Sequence, residues 1–244
     1  MSGLTYMRYE LLRAFRNRRF FVFSLGVPLV IYFVVAGPNR NVHNYNGVGI
    51  SLPTYYMVSL ASFGTMLAMI SSGARIAGER QAGWTRQLRI TPLSVRAYFR
   101  AKVLTSYAMA VISLLLLYIA GASLGVSLPA HSWLAMTGLV LVGLLPFAAL
   151  GITLGHLMTV ESIGPITGGT VSLLAIVSGT WFPITHGFLH DLGQWLPSYW
   201  LVQAGRAAIT GHGWGLMGWA VIAGWTIALT ALAGLVYRRD TGRV

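Results

Sequence analysis

Cysteine is absent from this 244-residue chain. That excludes disulfides and thiolate metal sites, so the fold does not depend on an oxidising compartment. Charge is scarce too: charged residues make up 9 % of the sequence, against about 25 % in ordinary soluble domains. Lysine occurs once, at Lys102, between Ala101 and Val103. A loop that cradles nucleotide phosphates needs Gly-Lys-Ser/Thr, so no such loop exists here. Acidic residues number 5 against 17 Lys and Arg, for a formal net charge of +12. What the chain has in quantity is apolar surface, 55 % of its residues with a mean hydropathy of +0.67. By composition it is a membrane protein.

A crossing helix needs roughly 20 mostly apolar residues. Six stretches qualify: Phe20–Gly37, Thr54–Ala74, Val103–Val126, Trp133–Met158, Ile163–Phe182 and Trp214–Tyr237. They use most of the sequence, which predicts an all-α polytopic protein with six transmembrane helices and one membrane domain over residues 1–244. Phe20–Gly37 follows a basic stretch, as a signal peptide does, but its flank is long and five more stretches follow, so it reads as a retained helix. Fifteen of the 17 basic residues fall on one side of these stretches. Arg40 and Arg206 alone fall on the other. This bias puts both termini in the cytoplasm and the chain in the plasma or inner membrane. The positive charge is then a topology signal, aided by attraction to anionic headgroups, and because it borders the spans it does not read as a nucleic-acid surface.

Within the leading segment 1–19, residues 3–18 form an amphipathic pattern. Leu4, Met7, Leu11, Ala14 and Phe15 share one face and Glu10, Arg13 and Arg16 the other, which predicts a helix lying in the interface plane. Pro28 predicts a kink in the first span. Residues 183–213 are too polar for a span yet rich in Trp, Tyr and Leu, and predict one or two short outer-leaflet helices, a re-entrant segment broken at Pro197; a loop lying on the surface is the alternative.

Seven of the basic residues lie in 75–102, namely Arg75, Arg80, Arg86, Arg89, Arg96, Arg100 and Lys102. Inside it, Glu79 is placed to favour the positive end of a helix starting there. Trp84 and Leu88 are four apart and share a face. Pro92 stops the helix, and Ser94 fits the N-cap of the next one. The pattern predicts a cytoplasmic helix over 79–91 that lies parallel to the membrane and offers an apolar pair to water, an arrangement a partner protein would cover; the alternative is a Trp84 that lies in the headgroup layer. Two rival motifs point elsewhere. Gly121-Ala122-Ser123-Leu124-Gly125 has the GxSxG form of an intramembrane serine protease, for which His131 is the nearest base in sequence. In an apolar helix GxSxG is more often small-residue packing, as is Gly151-x-x-x-Gly155. His156 and Glu161 straddle the inner end of the fourth stretch and suggest an ion-coupled secondary carrier, although no stretch carries Asp, Glu, Lys or Arg near its centre.

The segment 79–94 resembles the coupling-helix signature of membrane permeases of the type-2 ATP-binding-cassette exporters, the drug, polysaccharide and lipid class. Their pattern runs approximately E-R-x-x-G-T-x-x-x-L-x-x-T-P-x-S, and Glu79, Arg80, Gly83, Leu88, Thr91, Pro92 and Ser94 fit it. Trp84 stands where the pattern has Thr, with Thr85 one place on. The resemblance extends over the chain, with Pro183, Leu196–Pro197 and Arg206 placed as in that family. It implies a homodimer or heterodimer of permeases, each bound to a separate nucleotide-binding ATPase subunit that holds the ATP and Mg. This chain would then have no catalytic site and no cofactor, and would export an amphipathic drug-like or lipid-like molecule in a multidrug-efflux manner. Glu79, Arg80, Gly83, Trp84, Leu88, Thr91 and Pro92 would dock the ATPase. Spans two and five would line the pathway, where Tyr55, Ser59, Phe63, Met66, Met69, Thr167, Thr170, Ser178 and Trp181 mix aromatic, thioether and hydroxyl groups suited to a bulky amphipathic substrate. Helix–helix packing is the other account of each of these residues.

Overall fold

A computed structural model describes residues 3–16, 22–47, 49–84, 87, 94–211 and 213–241. These residues are helical or in short connections. Helix α1 spans Gly3–Phe15. A π-turn at Val22–Gly26 leads into α2, Val27–Ala36. Pro28 in its first turn has no N–H for the Ser24 carbonyl, and the wider winding precedes it there. Helix α3, Leu52–Ile70, begins where the Ser51 hydroxyl accepts from Thr54 N at 3.3 Å. After a break at Ser71 the chain continues as α4, Ser72–Gln81. Ser94 caps α5, Val95–Ser123, its Oγ accepting from Ala97 N at 3.2 Å.

Helices α6, Ala130–Gly143, and α7, Leu145–Leu157, follow, parted at Leu144 just before Pro146. Thr159 and Ser162 cap α8, Val160–Val177, reciprocally. Then come α9, Phe188–Gln194, α10, Pro197–Thr210, and α11, Leu216–Thr241. Pro197 opens α10, where a missing N–H costs nothing.

Among the described residues, five helical stretches are long and apolar enough to cross a membrane: Leu52–Gln81, Val95–Ser123, Ala130–Leu157, Val160–Val177 and Leu216–Arg239. The protein is a multi-pass membrane protein. The first expected crossing appears as a shorter apolar helix, Ser24–Ala36, which at 1.5 Å per residue covers about 20 Å of a core about 30 Å thick. The second and third crossings run past their apolar limits. Backbone hydrogen bonding continues beyond the hydrophobic edge, so the basic segment 75–102 is in large part helix, with α4 reaching Gln81 and α5 starting at Val95.

The α3–α4 rod forms the centre of the bundle: 78 % of its apolar window is buried, against 22 % for α8 and 28 % for α11. Around it pack α2, α5, α7, α8 and α10. Where α4 packs on α7, glycine meets glycine. A Cβ on Gly73 of α4 would lie 2.5 Å from Gly151 O of α7, and one on Gly155 would lie 2.8 Å from Gly73 O. Small residues let helix backbones meet this way in lipid, where no hydrophobic effect drives them together.

Candidate functional site

The charged side chains that the helices bring together lie where α1 crosses the ends of α4 and α5. Tyr6, Glu10 and Ala14, spaced one turn apart on α1, are buried, while Tyr9, Leu12 and Phe15 are exposed. This corrects the expected orientation of α1, in which Glu10 faced solvent. Glu10 Oε1 lies 2.7 Å from Lys102 Nζ and 3.5 Å from Arg75 Nε. Lys102 also donates to Glu79 Oε1, and the same oxygen accepts from Arg13 Nη1 at 2.9 Å. Glu79 Oε2 accepts from the Tyr98 hydroxyl at 3.0 Å, and Arg75 Nη2 donates to Ser106 Oγ at 3.1 Å. Burial, with the carboxylates of Glu79 and Glu10 next in effect, pushes the Tyr6 phenol far above its ordinary range and keeps it neutral. Charges this deep persist only where each is paired and hydrogen-bonded.

Glu79 is therefore not at the start of a helix. It sits in the last turn of α4, 1 % exposed, engaged by three side chains. Its neighbour Arg80 turns to α7, Nη1 donating to Gly155 O at 3.2 Å and Met158 O at 3.4 Å, the carbonyl end of that helix. The rod then turns at Ala82–Gly83, where Gly83 has φ +68°, a conformation that favours glycine. Gln87 N reaches back to Gly83 O at 3.4 Å. Trp84 is 39 % exposed. Leu88, Thr91 and Pro92 lie outside the described residues. Between α1 and this turn is a groove of about 590 Å³, lined by Tyr9, Leu12, Arg13, Arg16, Glu79, Ala82 and Trp84. The sequence did not show that Glu10 turns inward to meet Lys102. The signal available was the pairing problem itself: a lone lysine in an apolar chain, if buried, has to find a carboxylate.

The expected pathway residues gather differently. Tyr55, Ser59, Met66, Met69, Thr167 and Ser178 are buried inside the chain. The Ser178 hydroxyl bonds Ala175 O at 3.1 Å and meets Thr180 Oγ1 at 3.0 Å. Phe63, Thr170 and Trp181 are half-buried. The rings of Phe63 and Trp181 lie 5.6 Å apart, and Tyr56 donates to Trp181 O at 3.0 Å. Tyr55 donates to Gly179 O and carries the Arg206 guanidinium 5.1 Å above its ring. The accessible part of this set is thus Phe63 with Trp181, and Thr170.

The residues of the rival motifs bond within their own helix, pack, or face outward. The Ser123 hydroxyl donates to Ala120 O of its own helix at 2.7 Å. His156 is buried, its ring 5.4 Å from that of Tyr237 and 6.2 Å from that of Phe99. Glu161 is exposed in the first turn of α8.

The described residues thus form an apolar multi-helix membrane bundle with a basic, aromatic-rimmed groove at one end. The sequence pattern of the ABC-2 family transporter proteins matches residues 38–237, and the chain belongs to that family. It is also 32 % identical over 196 residues to YvfS of Bacillus subtilis (strain 168), which carries the name of a transport permease; the alignment covers 78 % of each chain. The protein is a permease-type, transmembrane subunit of an ABC transporter, and the family implies an ATPase partner subunit.

Proposed function

We propose that this chain forms the substrate pathway of an ATP-driven exporter of amphipathic drug-like or lipid-like molecules, working as a dimer of permeases with one ATPase subunit docked on each. In this reading the chain crosses the membrane six times, with both termini in the cytoplasm. The ATPase seats on the turn after α4, and its closure on ATP displaces α3 and α8 across the dimer axis. The observation that carries the proposal is the groove between α1 and Trp84: exposed aromatic and leucine side chains ringed by Arg13 and Arg16, a surface whose cost in water a partner removes. Glu79 and Arg80 then hold the docking turn, with Glu79 also at the floor of the groove, whereas Trp84, Leu88, Thr91 and Pro92 are the candidates for direct anchoring.

Trp84→Ala is expected to weaken capture of the ATPase subunit by about 2 kcal/mol or more, as truncation of a central aromatic anchor commonly does. Co-purification from native membranes at matched expression measures it. Full recovery of the ATPase with Trp84→Ala and Leu88→Ala combined would remove the docking role and leave Trp84 as a headgroup anchor. ATP hydrolysis by the purified chain alone would also defeat the proposal, since the chain has no phosphate loop.

On the pathway side, Phe63→Ala and Trp181→Ala are expected to change which amphipathic dyes the cells export while leaving assembly intact. Unchanged preference in both variants would reassign the pair to packing.

A further inference from the structure

Two of the chain's five acidic residues converge on its single lysine, and the three groups come from three helices: Glu10 from α1, Glu79 from α4 and Lys102 from α5. Lys102 is completely buried, and the carboxylates are 3 % and 1 % exposed. Such an arrangement is poor value as stability, because apolar side chains of similar volume often serve as well or better. What charge-assisted hydrogen bonds add is a fixed geometry. Apolar contacts such as Tyr6 on Tyr98, with ring centroids 6.0 Å apart, permit sliding along the helix axis. A lysine held between two carboxylates on different helices does not.

We infer that Lys102 is a positioning residue that welds α1 to α4 and α5, so that the three helices move as one body and α1 belongs to the coupling element. What drives that body rests on the docking reading above; the weld itself is a property of this chain alone. The groove is the reason the weld is needed. One wall is α1, with Tyr9, Leu12, Arg13 and Arg16, and the other is the turn at Ala82 and Trp84, while Glu79 contributes to the lining between them. A partner seated there presses on both walls. Slip between them would absorb the displacement before it reached α3, and the lysine lies where that slip would occur.

The lack of cysteine makes the test direct. Spin labels at Arg8→Cys, exposed on α1, and Ser123→Cys, exposed at the far end of α5, are separated along α5 by about 30 Å from the Lys102 level, within reach of pulsed EPR. The full chain is studied in lipid nanodiscs. The expected result is a narrow distance distribution in the parent chain that widens at least about twofold with Glu10→Gln and with Lys102→Met. Glu10→Gln keeps the shape of the side chain, so the comparison survives if Lys102→Met fails to fold. A second pair, Ser123→Cys with Leu235→Cys on α11, should stay narrow in every variant. Parent-like width in Glu10→Gln, or equal widening in the α5–α11 pair, overturns the weld, the latter because it means general loosening. Failure to capture an ATPase subunit would remove the docking reading and leave this measurement intact.

Discussion

Glu79→Ala is expected to lower the stability of this protein by about 3–5 kcal/mol, the usual loss when one partner of a buried ion pair is removed. The carboxylate serves Lys102, Arg13 and Tyr98 together. Without it, Lys102 and Arg75 remain buried with Glu10 as their one carboxylate in the cluster. A carboxylate that only complemented a helix dipole at the surface would contribute about 0.3–1 kcal/mol, so the two roles differ severalfold. For a chain of this length the larger loss corresponds to a fall in melting temperature of roughly 6–20 °C. Tryptophan fluorescence of the purified protein in detergent follows it. Glu79→Gln should sit between parent and alanine, since the amide keeps one acceptor oxygen and the side-chain volume but not the charge. A shift of less than about 2 °C in Glu79→Ala would mean that the cluster relaxes onto water and that its geometry is not held.

Gly151→Val and Gly155→Val should be nearly as severe. Overpacked cores typically lose about 1–3 kcal/mol and occasionally more, and here the atoms in the way include backbone oxygens of the facing helix. A Cβ at Gly151 would stand 2.7 Å from Met69 O, and one at Gly155 would stand 2.7 Å from Ile76 Cβ and 2.8 Å from Gly73 O. The backbone oxygens and Ile76 Cβ have no rotamer to change. The expected outcome is loss of the folded monodisperse protein in detergent for the double variant. Gly168→Ala on α8 is the contrast, because a Cβ there meets nothing within the chain; it should be neutral or slightly stabilising, alanine being the better helix former by about 1 kcal/mol. Intact, monodisperse protein from the Gly151→Val/Gly155→Val pair would show that α4 and α7 separate more easily than their contact implies.

Much of this architecture was legible in the sequence because it is written locally. Long apolar runs mark the crossing helices, Ser94 caps α5 through its own neighbour three residues on, and Pro197 starts α10 for want of an N–H. The Gly151 and Gly155 spacing announces close packing without a partner being known. What escaped was every feature that depends on residues distant in sequence. The Glu10 and Lys102 pair spans 92 positions. On α1 the 3.6-residue period separates two faces but does not say which one goes inside. In water the apolar face does so by default; at a membrane surface, the inward face is the one that meets Lys102. The same ambiguity hid the fate of Ser59, Met66 and Thr167, since a hydroxyl or thioether that lines a passage and one that packs between helices have the same sequence signature.

The glycine contact at Gly73 divides the central rod unequally. From Gly73 to Gln81 the helix measures about 12 Å, and from Gly73 back to Leu52 about 32 Å, at 1.5 Å per residue. A rod pivoting where its backbone touches α7 has a short arm toward the groove and a long arm toward Tyr55. If the proposed coupling turned the rod as one piece across the break at Ser71, these lengths would give a gain of about 2.6, so a 2 Å push at the short end would become about 5 Å at the other. In that coupling the glycine contact would set the fulcrum as well as the spacing, and a side chain added there would alter the stroke along with the stability of the fold.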